Sequence, residues 1–140
     1  MATTDKKSFL EKYRLELEKD VAIDRASLKS DLYTVASLQA KWINYYAVFK
    51  EQYIKVEKRL KEMRARKYMQ VIEGTAGVHV TKSEAKYVVA GDKDIVDLEE
   101  KIEMLELALA FFIDAQKIVR DKSFIMSNII RLEEFEAGVS

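Results

Sequence analysis

Cysteine and proline are absent from this chain, glycine occurs four times, histidine once, and 24 basic residues cancel 24 acidic ones. Each scarcity removes a class of answer. Without cysteine there is no disulfide frame and no thiolate metal site, so nothing argues for an oxidising compartment, and a reducing cytoplasm fits best. The opening stretch MATTDKKSFLEKYRLELEKD is charged throughout and lacks the apolar segment of a secretion signal. The most apolar run, Ile102 to Ile113, is broken by Glu103 and Glu106 and falls short of the roughly 20 residues a membrane-spanning helix needs. A soluble protein without membrane contact is expected. With 140 residues, 49% hydrophobic and 34% charged, the chain can build one modest folded domain.

The absence of proline, with glycine only at positions 74, 77, 91 and 138, leaves long uninterrupted stretches that favour helix. An all-α fold follows. Asp24 is a candidate N-cap. Beyond it Leu28, Leu32, Val35, Gln39, Trp42, Tyr46, Phe49, Tyr53, Val56, Leu60 and Met63 alternate by three and four, the spacing of a coiled-coil seam with one polar position at Gln39. A helix over 25–73 would be roughly 70 Å long at ~1.5 Å per residue, too long for the rest of the chain to cover. GTAGVHVT, within 74–82, reads as a connecting loop, and Ser83 to Ala90 as a short helix stopped by Gly91. Asp92 or Asp94 then caps a second long helix, over 92–122, and Ser123 is a candidate cap for a C-terminal helix over 123–138. The expected architecture is a single domain over 1–140: a long helical hairpin with coiled-coil-like seams, plus short N-terminal and C-terminal helices. The second helix carries two seams, one through Ile95, Leu98, Ile102, Leu105, Leu109, Phe112 and Val119, the other through Met104, Ala108, Phe111, Ala115 and Ile118. Both could belong to one helical-bundle core. The excess seam length favours a homo-oligomer, with one face for the hairpin and one for a neighbouring subunit.

Overall neutrality hides two opposite poles. From Lys55 to Lys67 seven basic residues (Lys55, Lys58, Arg59, Lys61, Arg64, Arg66, Lys67) stand against Glu57 and Glu62, a net of +5. From Asp92 to Glu106 seven acids (Asp92, Asp94, Asp97, Glu99, Glu100, Glu103, Glu106) stand against Lys93 and Lys101, a net of −5. The two segments can pair with each other as an antiparallel hairpin, at ~0.2 to 1 kcal/mol per exposed pair. Alternatively the basic segment docks a polyanion. At about 100° per residue Lys55, Arg59 and Arg66 share one side with Lys58 on its flank, whereas Arg64 and Arg66 point to different sides. Lys67 falls where the apolar seam would continue, so the seam is expected to open to solvent or ligand after Met63. A ring beside cations suits single-stranded nucleic acid, whose phosphates need Lys or Arg and whose unstacked bases need an aromatic face. Tyr68 is the candidate. Recognition-helix and zinc-finger patterns are lacking, so any binding should be largely independent of base sequence.

The stretches ELEKDVAID (16–24), KWINYY (41–46), VAGDKDIV (89–96) and DKSFIMSNIIRLEEFEAG (121–138) together resemble the UvsY-type recombination mediators of tailed bacteriophages, in the same order over nearly the whole chain. The resemblance implies an accessory protein that assembles into a homo-oligomeric ring, in the hexamer to heptamer range, and binds single-stranded DNA. It also implies partnership with a RecA-type recombinase and a single-strand-binding protein, which such mediators help exchange on DNA in recombination, repair and recombination-dependent replication, in the cytoplasm of the infected bacterial host. The family's DNA-contacting pattern, Leu-Lys-Ala-Arg-Leu-Asp-Tyr, falls on Met63-Arg64-Ala65-Arg66-Lys67-Tyr68. Arg64 takes the Lys place and Arg66 the Arg place, while Lys67 stands for the Leu-Asp pair. By the same resemblance, self-association would use Leu105, Leu109, Phe111, Phe112, Ile118, Ile125, Ile129, Leu132 and Phe135.

Catalysis finds little support. His79, the single histidine, reads as an ordinary loop residue, and the carboxylates of DKDIVD (92–97) as acids placed at a helix N-terminus. No glycine-bearing ligand loop surrounds that run and no phosphate-cradling glycine loop occurs, so neither a metal nor another cofactor is expected. The remaining alternative is a structural coiled-coil scaffold or adaptor that ignores nucleic acid.

Overall fold

A computed structural model describes residues 2–74 and 80–138, with side chains from residue 9 onward. The elements are α1 (Ala2–Val21), a 3-10 turn (Arg25–Ser27), α2 (Leu28–Ile72), α3 (Lys82–Ala90) and α4 (Lys93–Glu136), and no strand occurs among the described residues. The all-α expectation is met. The expected single domain resolves into two compact units, one of Met1–Val48 with Ala108–Ser140 and one of Phe49–Leu107.

Local sequence explains the boundaries. Asp24 in extended conformation accepts from the Ala26 amide and starts the turn into α2. Gly74, with φ 68°, takes the left-handed conformation that stops α2, and its amide donates to the Val71 carbonyl at 3.2 Å. Thr81 caps α3 in a reciprocal capping box with Glu84, one residue earlier than expected. Asp92 starts α4, accepting from the Asp94 and Ile95 amides at 2.9 and 3.4 Å. The expected loop over 74–82 includes residues 75–79, and with them His79, which lie outside the described residues.

One expected boundary is corrected. The chain does not break at Ser123, because α4 runs unbroken to Glu136. The Ser123 hydroxyl donates back to the Arg120 carbonyl at 2.7 Å, a bond that lets serine sit inside a helix instead of capping one. Met126, 1% exposed, carries the buried face of α4 across the expected break. Burial of that face holds the helix together there.

In the first unit α1, the first half of α2 and the second half of α4 share an aromatic centre. Tyr13 meets Tyr45 and Phe112 edge-on at centroid distances of 5.2 and 5.1 Å, and the fully buried Trp42 packs against Phe111 and Phe112. Asp20 ties the three helices. Its carboxylate accepts from the Trp42 indole at 2.9 Å and pairs with Lys41 at 2.5 Å, and its main-chain carbonyl, orphaned at the end of α1, accepts from the buried Lys122 ammonium at 2.7 Å. Burial alone would lower the Lys41 pKa, but hydrogen bonds to Asp20 and Glu16 outweigh it and hold the group above its usual value.

This packing corrects part of the expected self-association surface. Leu109 and Phe112 are 8% and 0% exposed within the chain itself, and Leu105 of the second unit is 4% exposed, so their side chains are already covered. Phe111 is half-buried beside Trp42. Ala108 and Ala115 of the second seam are fully buried as well. In this unit α1 is the third helix that covers the extra apolar area.

Candidate nucleic-acid interface

In the second unit the rotation of α2 is set by what it buries. Leu60 forms a core with Val89 of α3 and Ile95 of α4, and Met63, Tyr68, Val71, Leu98 and Ile102 pack around it. With that stripe turned inward, the 3.6-residue period forces Lys55, Lys58, Arg59, Lys61 and Arg66 outward, and all five are exposed.

The cations then separate into two groups. Arg64 and Lys67 turn towards the acidic segment of α4: the Arg64 guanidinium lies 2.6 Å from Glu99, and the Lys67 ammonium 3.3 Å from both Asp92 and Asp94. Lys67 therefore stays in the seam without the expected opening, because two carboxylates meet it there. Hydrogen bonds to Asp92 and then Asp94 hold its pKa above the usual lysine value, against a weaker effect of burial. Burial alone would raise the Asp92 pKa, but Lys67 and the Asp94 and Ile95 amides hold it below the usual carboxylate value. Among the described residues Lys55 and Lys61 make only same-helix pairs, with Glu51 and Glu57 at 3.3 and 3.4 Å, which are weak and easily exchanged. Lys58, Arg59 and Arg66 form no ion pair among the described residues. Arg64 and Arg66, about 200° apart around the helix, thus face different surroundings.

Tyr68 is not a free ring. It is half-buried against the Leu60 core and lines a hollow of about 450 Å³ together with Arg64, Ala65, Lys86, Val89, Ala90 and Glu99. Lys86 and its neighbour Tyr87 are not among the residues singled out from the sequence. Their signal was there to find, since Lys82 and Lys86 are four apart and Tyr87 follows directly, repeating on α3 the basic-aromatic pattern of α2. Among the described residues no group of three or more His, Asp or Glu is placed to hold a metal ion, and no helix is long and apolar enough to cross a membrane.

Residues 16–139 match the family described as recombination, repair and ssDNA binding protein UvsY. The chain belongs to the UvsY family. A curated relative, the recombination protein uvsY of Enterobacteria phage T4, is 28% identical over 134 aligned positions, covering 92% of this chain and 98% of the relative. Crystal structures of the bacteriophage T4 recombination mediator protein UvsY superpose with a TM-score of 0.80 at 24% identity over 91% of this chain and 98% of that one, and in a second lattice with 0.79 at 25% over 91% and 97%. Several residues of the stretches that carry the UvsY resemblance are framework. Glu16 and Asp20 of ELEKD meet Lys41 and Trp42 of KW, and Lys122 of DKS meets the Asp20 carbonyl. Asp92 of GDKD caps α4 and holds Lys67. These four stretches lie outside residues 55–68, the segment within which the family's DNA-contacting pattern falls.

Proposed function

We propose that this chain is a recombination mediator. It binds single-stranded DNA through the outward basic face of α2 and helps a RecA-type recombinase load onto DNA covered by single-strand-binding protein, in phage recombination, repair and recombination-dependent replication within the infected host's cytoplasm. The observation that carries the reading is the face itself: Lys58, Arg59 and Arg66 are exposed without an ion pair among the described residues, in a chain of a single-strand-binding family. Lys55 and Lys61 extend the face. Arg64 and Lys67 join when phosphate displaces their carboxylates, and Tyr68 contributes from the wall of its hollow. The protein performs no catalysis and needs no cofactor.

Self-association into a homo-oligomeric ring, in the hexamer to heptamer range, is part of the proposal. Its support is the exposure of large apolar side chains along the end of α4: Ile118, Ile125, Leu132 and Phe135 are 45%, 48%, 52% and 81% exposed, with Ile129 half-buried among them. A ring repeats modest basic sites, so a strand is held by avidity yet released one subunit at a time.

Fluorescence anisotropy with a labelled oligonucleotide at increasing salt tests the DNA face. The wild-type logarithmic affinity should fall by roughly 0.7 per neutralised phosphate, and substitution of Lys58, Arg59 and Arg66 by Ala should reduce that slope by about 2 per engaged subunit. An unchanged slope refutes the face. A protein that sediments as an assembly but ignores the oligonucleotide is instead a scaffold.

A further inference from the structure

Helix α3 buries Ala85 and Val89, at 0% and 7% exposure. With period 3.6 that leaves Tyr87 on the opposite face, with Ser83 and Ala90 near it and Lys86 on the flank. These four line a second hollow, of about 430 Å³, which adjoins the Arg64–Tyr68 hollow, since Lys86 and Ala90 border both. Tyr87 is 81% exposed. Among the described residues its ring touches no other ring or cation, and Lys86 beside it has no ion pair. An exposed ring, an unengaged ammonium and an apolar wall therefore stand together, one helix away from the basic segment.

We propose that α3 is a base-stacking site for single-stranded nucleic acid. Tyr87 takes the face of one unstacked base, Lys86 takes the adjoining phosphate, and Ala90 forms the apolar wall between them. The chemistry singles out this ligand. A base offers a flat π-face that a phenol can stack on, and its phosphate offers the anion that Lys86 lacks. A duplex, with its bases already stacked inside, offers only the phosphate. The proposal rests on the reading of the chain as a single-strand binder and adds a site on α3 that α2 does not supply.

The test compares Tyr87→Ala, Tyr87→Phe and Lys86→Gln with the full-length wild type on a normal oligonucleotide and on an abasic one of equal length. At its exposure, replacing Tyr87 leaves the fold intact, which circular dichroism verifies. Tyr87→Ala should weaken binding to the normal strand by about 5- to 150-fold per occupied site without changing the salt slope. It should leave binding to the abasic strand unchanged, and Tyr87→Phe should bind as wild type does. Lys86→Gln should lower the salt slope by about 0.7 on both strands. Equal losses on both strands, no loss with Tyr87→Ala, or a change in sedimentation that makes Tyr87 a subunit contact overturns the site while leaving the α2 reading intact. Absence of any salt-sensitive binding by the wild type overturns both.

Discussion

Glu99 occupies the Arg64 guanidinium that, on the proposed reading, a phosphate would need. Its carboxylate is 2.6 Å from the Arg64 guanidinium, and the two side chains are 40% and 49% exposed. An ion pair this open to water is worth ~0.2 to 1 kcal/mol, and a strand that uses Arg64 must first give up that amount. Glu99→Gln keeps the size and a hydrogen-bond acceptor but removes the competing charge. Affinity for a single strand should rise by about 1.4- to 5-fold per contacting subunit, which is that energy range converted at 25 °C. The salt slope should stay close to the wild type's, since Arg64 neutralises a phosphate in both. Losing any nearby carboxylate favours DNA in a general way, so Glu100→Gln, an exposed acid one position on, is the control. In an Arg64→Ala background the advantage of Glu99→Gln over Glu100→Gln should vanish, since the cycle removes the partner through which Glu99 acts. Anisotropy titrations at three salt concentrations measure all these terms. If Glu99→Gln binds no better than Glu100→Gln, Glu99 does not compete with phosphate and Arg64 does not contact the strand.

Two further outcomes follow from the packing. Lys122→Met keeps the aliphatic stem but strips the Asp20 carbonyl of its buried donor, so unfolding in urea should come earlier by ~1 to 3 kcal/mol, with faster amide exchange in the last turn of α1. The Lys67–Asp92 bond sets a pH window. Asp92 is held below its usual pKa, so its contribution is present above the unfolded value and is lost as pH falls through the folded one, below about pH 4. Lys67 is held above its usual pKa, so its contribution is complete below about pH 10 and is lost only as pH rises further. NMR of the Asp94 amide against pH should therefore show an acid step that disappears in Asp92→Asn, and a step unaffected by that substitution would assign it to another group.

The seam of α2 was readable because burial repeats. All eleven positions from Leu28 to Met63, Gln39 included, are buried or half-buried, since a three-four spacing turns only one stripe of a helix inward. The caps at Asp24 and Asp92 were readable for a different reason: a short carboxylate side chain just before a helical stretch has free amides within reach. Ser123 looked the same and is not a cap, because whether a serine starts a helix or lies inside one depends on the packing of the residues beyond it, here Met126. The two seams of α4 were visible in sequence but their occupants were not. Tyr13 reaches Phe112 across 99 positions, a pairing with no local signature.

Sequence alone determined that the chain is helical, where most helices start, which stripe of α2 is buried, and that charge is gathered into opposite poles. Local spacing and capping chemistry decide those features, so they are written in neighbouring residues. Tertiary structure decided how each charge is used. Arg64 and Lys67 face carboxylates of α4 while Arg66 faces water, and Lys86 and Tyr87 of α3 come to stand beside the Arg64 hollow. These assignments depend on which residues distant in sequence a packed helix brings within a few ångströms, and a charge has a partner only once the chain has folded.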